Sequence, residues 1–78
     1  MSIMLTKQGF EKINDELKRL IQDERPVACQ MVEDTRPVGV VEDNPEYEQA
    51  IENQDRLERR IFDLTQIIHN CIIFDEPT

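Results

Sequence analysis

The clearest pattern in the chain is a run of mostly apolar residues, spaced alternately three and four apart, in its second half. The run comprises Tyr47, Ala50, Gln54, Leu57, Ile61, Leu64, Ile68 and Cys71. This spacing is typical of a helix that packs one face on a single partner, and it predicts a helix over about residues 45–71. Asn44 is a favoured N-cap and Pro45 falls at the first helical position, where its missing N–H costs nothing, so the helix start is well defined.

The first half carries a similar pattern with one interruption. Its regular part, with steps of three, four and three, comprises Phe10, Ile13, Leu17 and Leu20. The apolar face lapses at Glu24 and returns at Val27 and Met31, which predicts a first helix over about residues 7–36. Pro26 lies inside this helix, removes a backbone donor and clashes with the carbonyl four residues back. We therefore expect a kink or a local break there.

Short segments flank the two predicted helices. Thr6 is a good N-cap for the first, although Gly9 in its first turn costs roughly 1 kcal/mol relative to alanine. Pro37 and Gly39 end that helix. The β-branched run that follows the second helix predicts the start of a strand over residues 72–75, with no visible partner strand in this chain.

Two helices with one apolar face each and a short connection pack antiparallel. The predicted fold class is therefore all-α, a long antiparallel two-helix coiled-coil hairpin with a short C-terminal β-like segment. Residues 1–78 form a single domain whose tip is residues 37–44, and each arm is roughly 40 Å long. Because a two-helix core is marginal alone, we expect the rod to dock onto a partner or to belong to a longer chain. Weak self-association is one such option.

Composition narrows the function classes. The net charge of -8 argues against a free-standing nucleic-acid binder, because such proteins bind phosphates with Lys and Arg. Two cysteines, no signal peptide and no apolar run near the roughly 20 residues of a membrane span favour a cytoplasmic protein with free thiols and no membrane association. No complete active site is visible, and the single histidine, His69, makes a zinc site improbable.

The acids before the second helix are the first candidates for chemistry. Glu42 and Asp43, with Glu46 beyond them, offer the oxygen ligands that Mg²⁺ prefers. Two exposed acids hold this ion poorly by themselves, but they would complete a site whose other ligands lie on a partner. The alternative is a solvated turn that only favours the dipole of the second helix.

Several short motifs, in order and without a gap from Leu5 to about Asp75, resemble one family. They are Leu5-Thr6-x-x-Gly9, Lys12-Ile13-x-x-Glu16-Leu17, Arg25-Pro26, Arg36 with Gly39, Asn44-Pro45-Glu46-Tyr47 and Arg60-Ile61-x-x-Leu64. On these residues the chain is similar to the N-terminal coiled-coil domain of the bacterial Gre transcript-cleavage factors. Gly9 and Pro26 then become expected features. The family's C-terminal domain, similar to FK506-binding proteins, would be absent here.

The resemblance implies that the hairpin enters the secondary channel of bacterial RNA polymerase as an elongation factor. There Asp43 and Glu42 would help position a shared Mg²⁺ ion, with Asp43 as the metal ligand, so that the polymerase cleaves backtracked RNA. The chain would be an accessory factor and not an enzyme. Contacts to polymerase, or to the RNA 3′ end within the elongation complex, would come from Arg36, Asn44, Glu46 and Tyr47.

The tip departs from the family pattern Gly-Asp-x-x-Glu-Asn, since it reads Gly39-Val40-Val41-Glu42-Asp43-Asn44. Val40 takes the position of the first acid, and Asp43 has one methylene less reach than the glutamate it replaces. The alternative function is therefore a cleavage-deficient regulator that binds in the channel. A coiled-coil module with no link to polymerase is the third hypothesis, and the Asn44–Tyr47 run argues against it.

Overall fold

The computed structural model describes residues 3–37 and 44–74. In chain order the elements are β1 (Ile3–Thr6), α1 (Lys7–Arg19), a π-helix (Leu20–Glu24), α2 (Arg25–Thr35), α3 (Pro45–Asn70) and β2 (Cys71–Phe74). The first arm of a hairpin consists of α1, the π-helix and α2, and the second arm is α3. The molecule is a rod of 62 × 24 × 14 Å.

Contacts between the arms show that they run in opposite directions. Arg60 of α3 bonds to Glu16 near the start of the first arm, at 3.1 Å. Asn44, immediately before α3, bonds to Thr35 at the end of α2, at 3.2 Å. The predicted long helix hairpin is therefore confirmed.

The predicted apolar face of α3 is confirmed along its length. Ala50, Ile61 and Leu64 are buried, with exposed fractions of 3%, 6% and 2%. The remaining predicted positions, from Tyr47 to Cys71, are all half-buried. Leu20 of the first arm joins Ile61 and Leu64 in the core, which therefore lies in the middle and base of the rod. The base is the end that carries β1 and β2.

The first arm follows its predicted face only as far as Leu20. Beyond it the prediction is wrong, since Val27 and Met31 are 59% and 49% exposed. The side chains that face α3 are instead one position further along, with Val32 buried and Ala28 half-buried. The reason is the π-helix, in which the Arg25 N–H donates to the Leu20 carbonyl, five residues back, and so one extra residue is accommodated.

The expected break near Pro26 is confirmed. The break is the π-helix, which ends at Glu24. Pro26 has no N–H, so the regular bonding pattern is already interrupted at this point and an extra residue costs least there.

The prediction that the strand after α3 has no partner strand in this chain is wrong. β1 and β2 pair in parallel, with Ile3 opposite Cys71 and Thr6 opposite Phe74. The hairpin brings the start of the first arm and the end of the second to the same end of the rod. Two segments more than sixty residues apart in sequence thereby become neighbours, a pairing that local pattern cannot reveal.

The junction of β1 and α1 explains Gly9. The Thr6 hydroxyl caps α1 by accepting from the Gly9 N–H at 3.0 Å. A Cβ at Gly9 would lie 3.2 Å from that hydroxyl oxygen, which is tighter than an ordinary contact. Glycine therefore lets the cap approach closely. No helix within the described residues is long and apolar enough to cross a membrane.

Candidate functional site

The candidate site is the tip of the rod, where residues 38–43 join the two arms. The predicted acids Glu42 and Asp43, and the departing Val40, lie outside the described residues. Their roles stay predictions. The structure does describe both ends of the connection, which include the four predicted contact residues Arg36, Asn44, Glu46 and Tyr47.

Asn44 ties the two ends of this connection together. Its side-chain oxygen accepts a hydrogen bond from the Tyr47 N–H at 3.1 Å, which caps α3. Its side-chain amide donates to the Thr35 carbonyl at 3.2 Å. That carbonyl belongs to the last turn of α2, where backbone acceptors have no partner within the helix. One half-buried side chain therefore fixes the spacing between the points where the tip segment leaves one arm and enters the other.

Thr35 and Arg36 complete the end of α2. The Thr35 hydroxyl donates to the Met31 carbonyl at 2.7 Å and lies 3.3 Å from the Val32 carbonyl, an acceptor of the last turn. The exposed Arg36 guanidinium lies 3.0 Å from the Glu33 carboxylate. Arg36 adopts an extended conformation, with φ -59° and ψ 125°, and its N–H still reaches the Glu33 carbonyl at 3.4 Å. The helix therefore ends at a defined residue before the tip segment.

The described part of the tip is acidic on both arms. Glu46 and Glu48 occupy the first turn of α3, where the helix dipole favours negative charge. Glu33 and Asp34 lie in the last turn of α2, where the dipole disfavours negative charge and the structure places no basic residue. This second pair is stabilised locally, because Gln30 donates to Asp34 at 2.8 Å and Arg36 pairs with Glu33.

Arg36 and Glu46 are exposed, whereas Asn44 and Tyr47 are half-buried and belong to the helix start. Glu46 also lines a shallow groove of about 410 Å³ with Met31, Thr35 and Pro45. Arg36 and Glu46 are therefore accessible to a partner, and Asn44 and Tyr47 position the end of the arm.

Sequence reasoning missed Thr35 as the partner of Asn44. The acceptor is the main-chain carbonyl of Thr35, which a residue of any type would supply, so the identity of residue 35 carries no local signal. The bond itself spans nine residues across an undescribed loop. Its formation depends on the register of the two arms, which the sequence pattern misplaced by one residue.

Other candidates for chemistry are separate from the tip. Both cysteines are free thiols, and the Cys29 sulfur accepts from the Gln54 amide across the hairpin at 3.4 Å. His69 is exposed near the base. Within residues 3–37 and 44–74, no three His, Cys, Asp or Glu side chains are placed together to hold a metal ion. The carboxylates of Glu42 and Asp43 have the donor chemistry that suits Mg²⁺, but two such ligands require others from elsewhere.

Comparison with protein families matches residues 3–73 to the family described as "Transcription elongation factor, N-terminal". The transcription elongation factor GreA of Syntrophobacter fumaroxidans is 42% identical over 73 residues, covering 94% of this chain and 47% of that protein. GreA of Nautilia profundicola is 35% identical, covering 91% of this chain and 44% of that protein. GreA of Pelobacter propionicus is 38% identical, covering 95% and 47%. The chain spans about half the length of these curated relatives.

Among solved structures, the crystal structure of GreA factor homolog 1 (Gfh1) protein of Thermus thermophilus is similar, with a TM-score of 0.85. The similarity covers 100% of this chain and 50% of that chain, at 24% sequence identity. At this identity the comparison shows a shared fold, and the fold includes both arms of the hairpin.

Proposed function

This chain belongs to the transcription elongation factor N-terminal family of the bacterial Gre factors, and from that premise we propose that it is an accessory factor of bacterial RNA polymerase. In this proposal the hairpin enters the secondary channel with its tip first and promotes cleavage of backtracked RNA. The polymerase supplies the active site, and the chain is not itself an enzyme. Its place of action is the cytoplasm.

The observation that carries the proposal is the family match over residues 3–73, which includes every described element except the last residue of β2. A rod 62 Å long and 14 Å across its narrowest dimension has a shape suited to a channel. The 3-4 spacing of the α3 face, and of the first arm on either side of the π-helix, further supports an antiparallel coiled coil.

The proposed chemistry depends on the acids of the tip. Glu42 and Asp43 contribute carboxylates, and the Asn44 bridge to Thr35 fixes the end of the segment that carries them. A Mg²⁺ ion shared with the polymerase would supply activation of water and stabilisation of charge on the scissile phosphate. The acids at the ends of α2 and α3 add negative potential around this position, which favours a divalent cation.

Arg36 and Glu46 are the proposed contacts of the tip with its partner, since both are exposed beside the tip segment. A guanidinium next to an acidic tip would pair with a phosphate of the RNA 3′ end or with an acidic side chain of polymerase. Asn44 and Tyr47 support this arrangement from within the helix start.

The second candidate function is a channel-binding regulator that does not support cleavage. Val40 favours it, because this residue stands where the family's first tip acid is expected. Loss of one of two carboxylates would weaken the hold on the shared ion while leaving the shape of the rod unchanged.

A transcript-cleavage assay on backtracked, 3′-labelled elongation complexes tests the proposal. The chain is compared with Asp43→Asn, Val40→Asp and the matched control Asp55→Asn, which removes one exposed carboxylate from the middle of α3. Asp43→Asn should abolish cleavage, Asp55→Asn should retain it, and Val40→Asp should increase it. Equal cleavage by all four proteins would contradict a role for the tip acids.

Competition separates the two candidate functions. The chain is added to complexes that contain a full-length GreA, and the loss of GreA-stimulated cleavage is measured against chain concentration. If the chain competes with GreA but does not support cleavage, and Val40→Asp gives cleavage, the regulator is indicated. A chain that shows neither competition nor cleavage would overturn both candidates.

A further inference from the structure

The face of the first arm that contacts α3 has an almost perfect repeat. Its members are Phe10, Ile13, Leu17, Leu20, Arg25, Ala28, Val32 and Thr35, all buried or half-buried. The steps alternate between three and four except for one step of five, from Leu20 to Arg25. The π-helix spans that step and absorbs the single extra residue.

The same arm carries a second, unused face. If the alternation continued from Leu20 without the extra residue, the positions facing α3 would be Glu24, Val27, Met31 and Asp34. All four are exposed. Val27 and Met31 together have larger apolar side chains than Ala28 and Val32, which they would replace, although Asp34 would also replace Thr35. The sequence therefore encodes two overlapping registers for α2, and the two middle positions do not favour the observed one.

Charge across the hairpin favours the observed register. Arg25 donates two hydrogen bonds to the Glu58 carboxylate of α3, at 2.9 Å and 2.7 Å. This paired geometry is the strongest that an arginine and a carboxylate form. Hydrogen bonding to Glu58 also raises the pKa of the Arg25 guanidinium. In the other register Glu24 would take the position of Arg25, and two carboxylates would face each other.

We propose that Arg25 is a positioning residue, whose pairing with Glu58 selects the π-helical register of α2 over a regular α-helical one. A change of register by one residue rotates α2 by about 100° around its axis. The Arg25–Glu58 pair therefore determines which side chains of α2 face α3. It also brings the Thr35 carbonyl within reach of the Asn44 side-chain amide. This inference rests on the contacts within the chain and stands apart from the proposed function.

Thiol labelling reads the register directly. In a Cys29→Ala/Cys71→Ala background, single thiols are placed by Met31→Cys or Val32→Cys. Met31 is 49% exposed and Val32 is 6% exposed, so a maleimide should label a thiol at position 31 several times faster than one at position 32. Adding Arg25→Glu should reverse this order. Adding Glu24→Arg and Glu58→Arg to that variant should restore it, because positions 25 and 58 would again attract each other while positions 24 and 58 would repel in the other register.

Two further variants keep the test decisive. Arg56→Glu is the control, because Arg56 pairs with Glu52 within α3 and should leave the labelling order unchanged. If Arg25→Glu loses its helical circular dichroism, Arg25→Gln with Glu24→Gln is measured instead, and the ratio of the labelling rates at positions 31 and 32 should fall towards one. A helical variant of either kind with the parental ratio would overturn the proposal.

A deletion gives an independent test of the extra residue. Deleting Gln22 shortens the step from Leu20 to Arg25 to four, which makes the repeat continuous, so the protein should keep its labelling order and its Tm. Deleting Asp15, an equally exposed residue of α1, moves Phe10 and Ile13 off the contact face and should lower Tm by about 10 °C or more. Equal loss of Tm in the two deletions would contradict the assignment of the extra residue to the π-helix.

Discussion

Replacing Ile61 by alanine should unfold the hairpin at moderate temperature. Ile61 is 6% exposed and packs with Leu20 and Leu64 in the core cluster. The substitution removes three nearly buried carbons, which at about 0.8 kcal/mol each is roughly 2.4 kcal/mol before any cavity term. The cavity brings the expected loss to about 3–4 kcal/mol. A scaffold of this size has only about 3–5 kcal/mol in total, so most of its stability would be lost.

The next residue supplies a matched control. Phe62 lies on the same helix but is 62% exposed, so Phe62→Ala should cost at most about 1 kcal/mol. Urea unfolding of the two variants, followed by circular dichroism at the helical minimum, gives both free energies of unfolding. Equal losses, or a larger loss for Phe62→Ala, would refute the assignment of Ile61 to the core and with it the orientation of α3.

Three further predictions concern caps and thiols. Asn44→Ala should lower the free energy of unfolding by about 1–2 kcal/mol in urea unfolding, since it removes both the cap of α3 and the bond to α2; Asn44→Asp keeps the cap and should lose less. Thr6→Ala should cost about 1 kcal/mol in the same assay, whereas Thr6→Ser should be nearly neutral, because only the serine hydroxyl can accept from the α1 backbone. Thiol titration in denaturant without reductant should find both Cys29 and Cys71 free. A monomer in which the titration detects no free thiol would contradict the hairpin geometry.

The parts of the fold that follow from local chemistry could be predicted. Asn44 and Pro45 specify the start of α3 through a side-chain acceptor and a fixed φ, and both act within one turn. The apolar face of α3 repeats without interruption, so its phase is unambiguous. Pro26 marks the place where the first arm departs from a regular helix, because the missing N–H is a property of that residue alone.

The register of α2 could not be predicted, since it depends on a contact 33 residues away. Val27 and Met31 have larger apolar side chains than Ala28 and Val32, and the pattern therefore selects the wrong face. Bonds that exist only once the arms are paired, Arg25 to Glu58 and Asn44 to Thr35, belong to the observed register. The pairing of β1 with β2 is equally non-local, and the tip acids lie outside the described residues, so the central part of the candidate site stays a prediction from the sequence.

The two halves of the rod are held together in different ways, and this difference bears on function. The middle and base contain the apolar core around Leu20, Ile61 and Leu64. Towards the tip, Ala28 and Ala50 lie between the arms together with Val32, and directional bonds from Arg25 and Asn44 also join the arms. Small facing residues such as the two alanines let helices approach closely. Polar bonds depend on angle as well as distance, so they restrict the relative position of the arms more than apolar contact does. If the tip acids act at a distant site, as proposed, a base that supplies stability and a tip half held by directed bonds would suit that task.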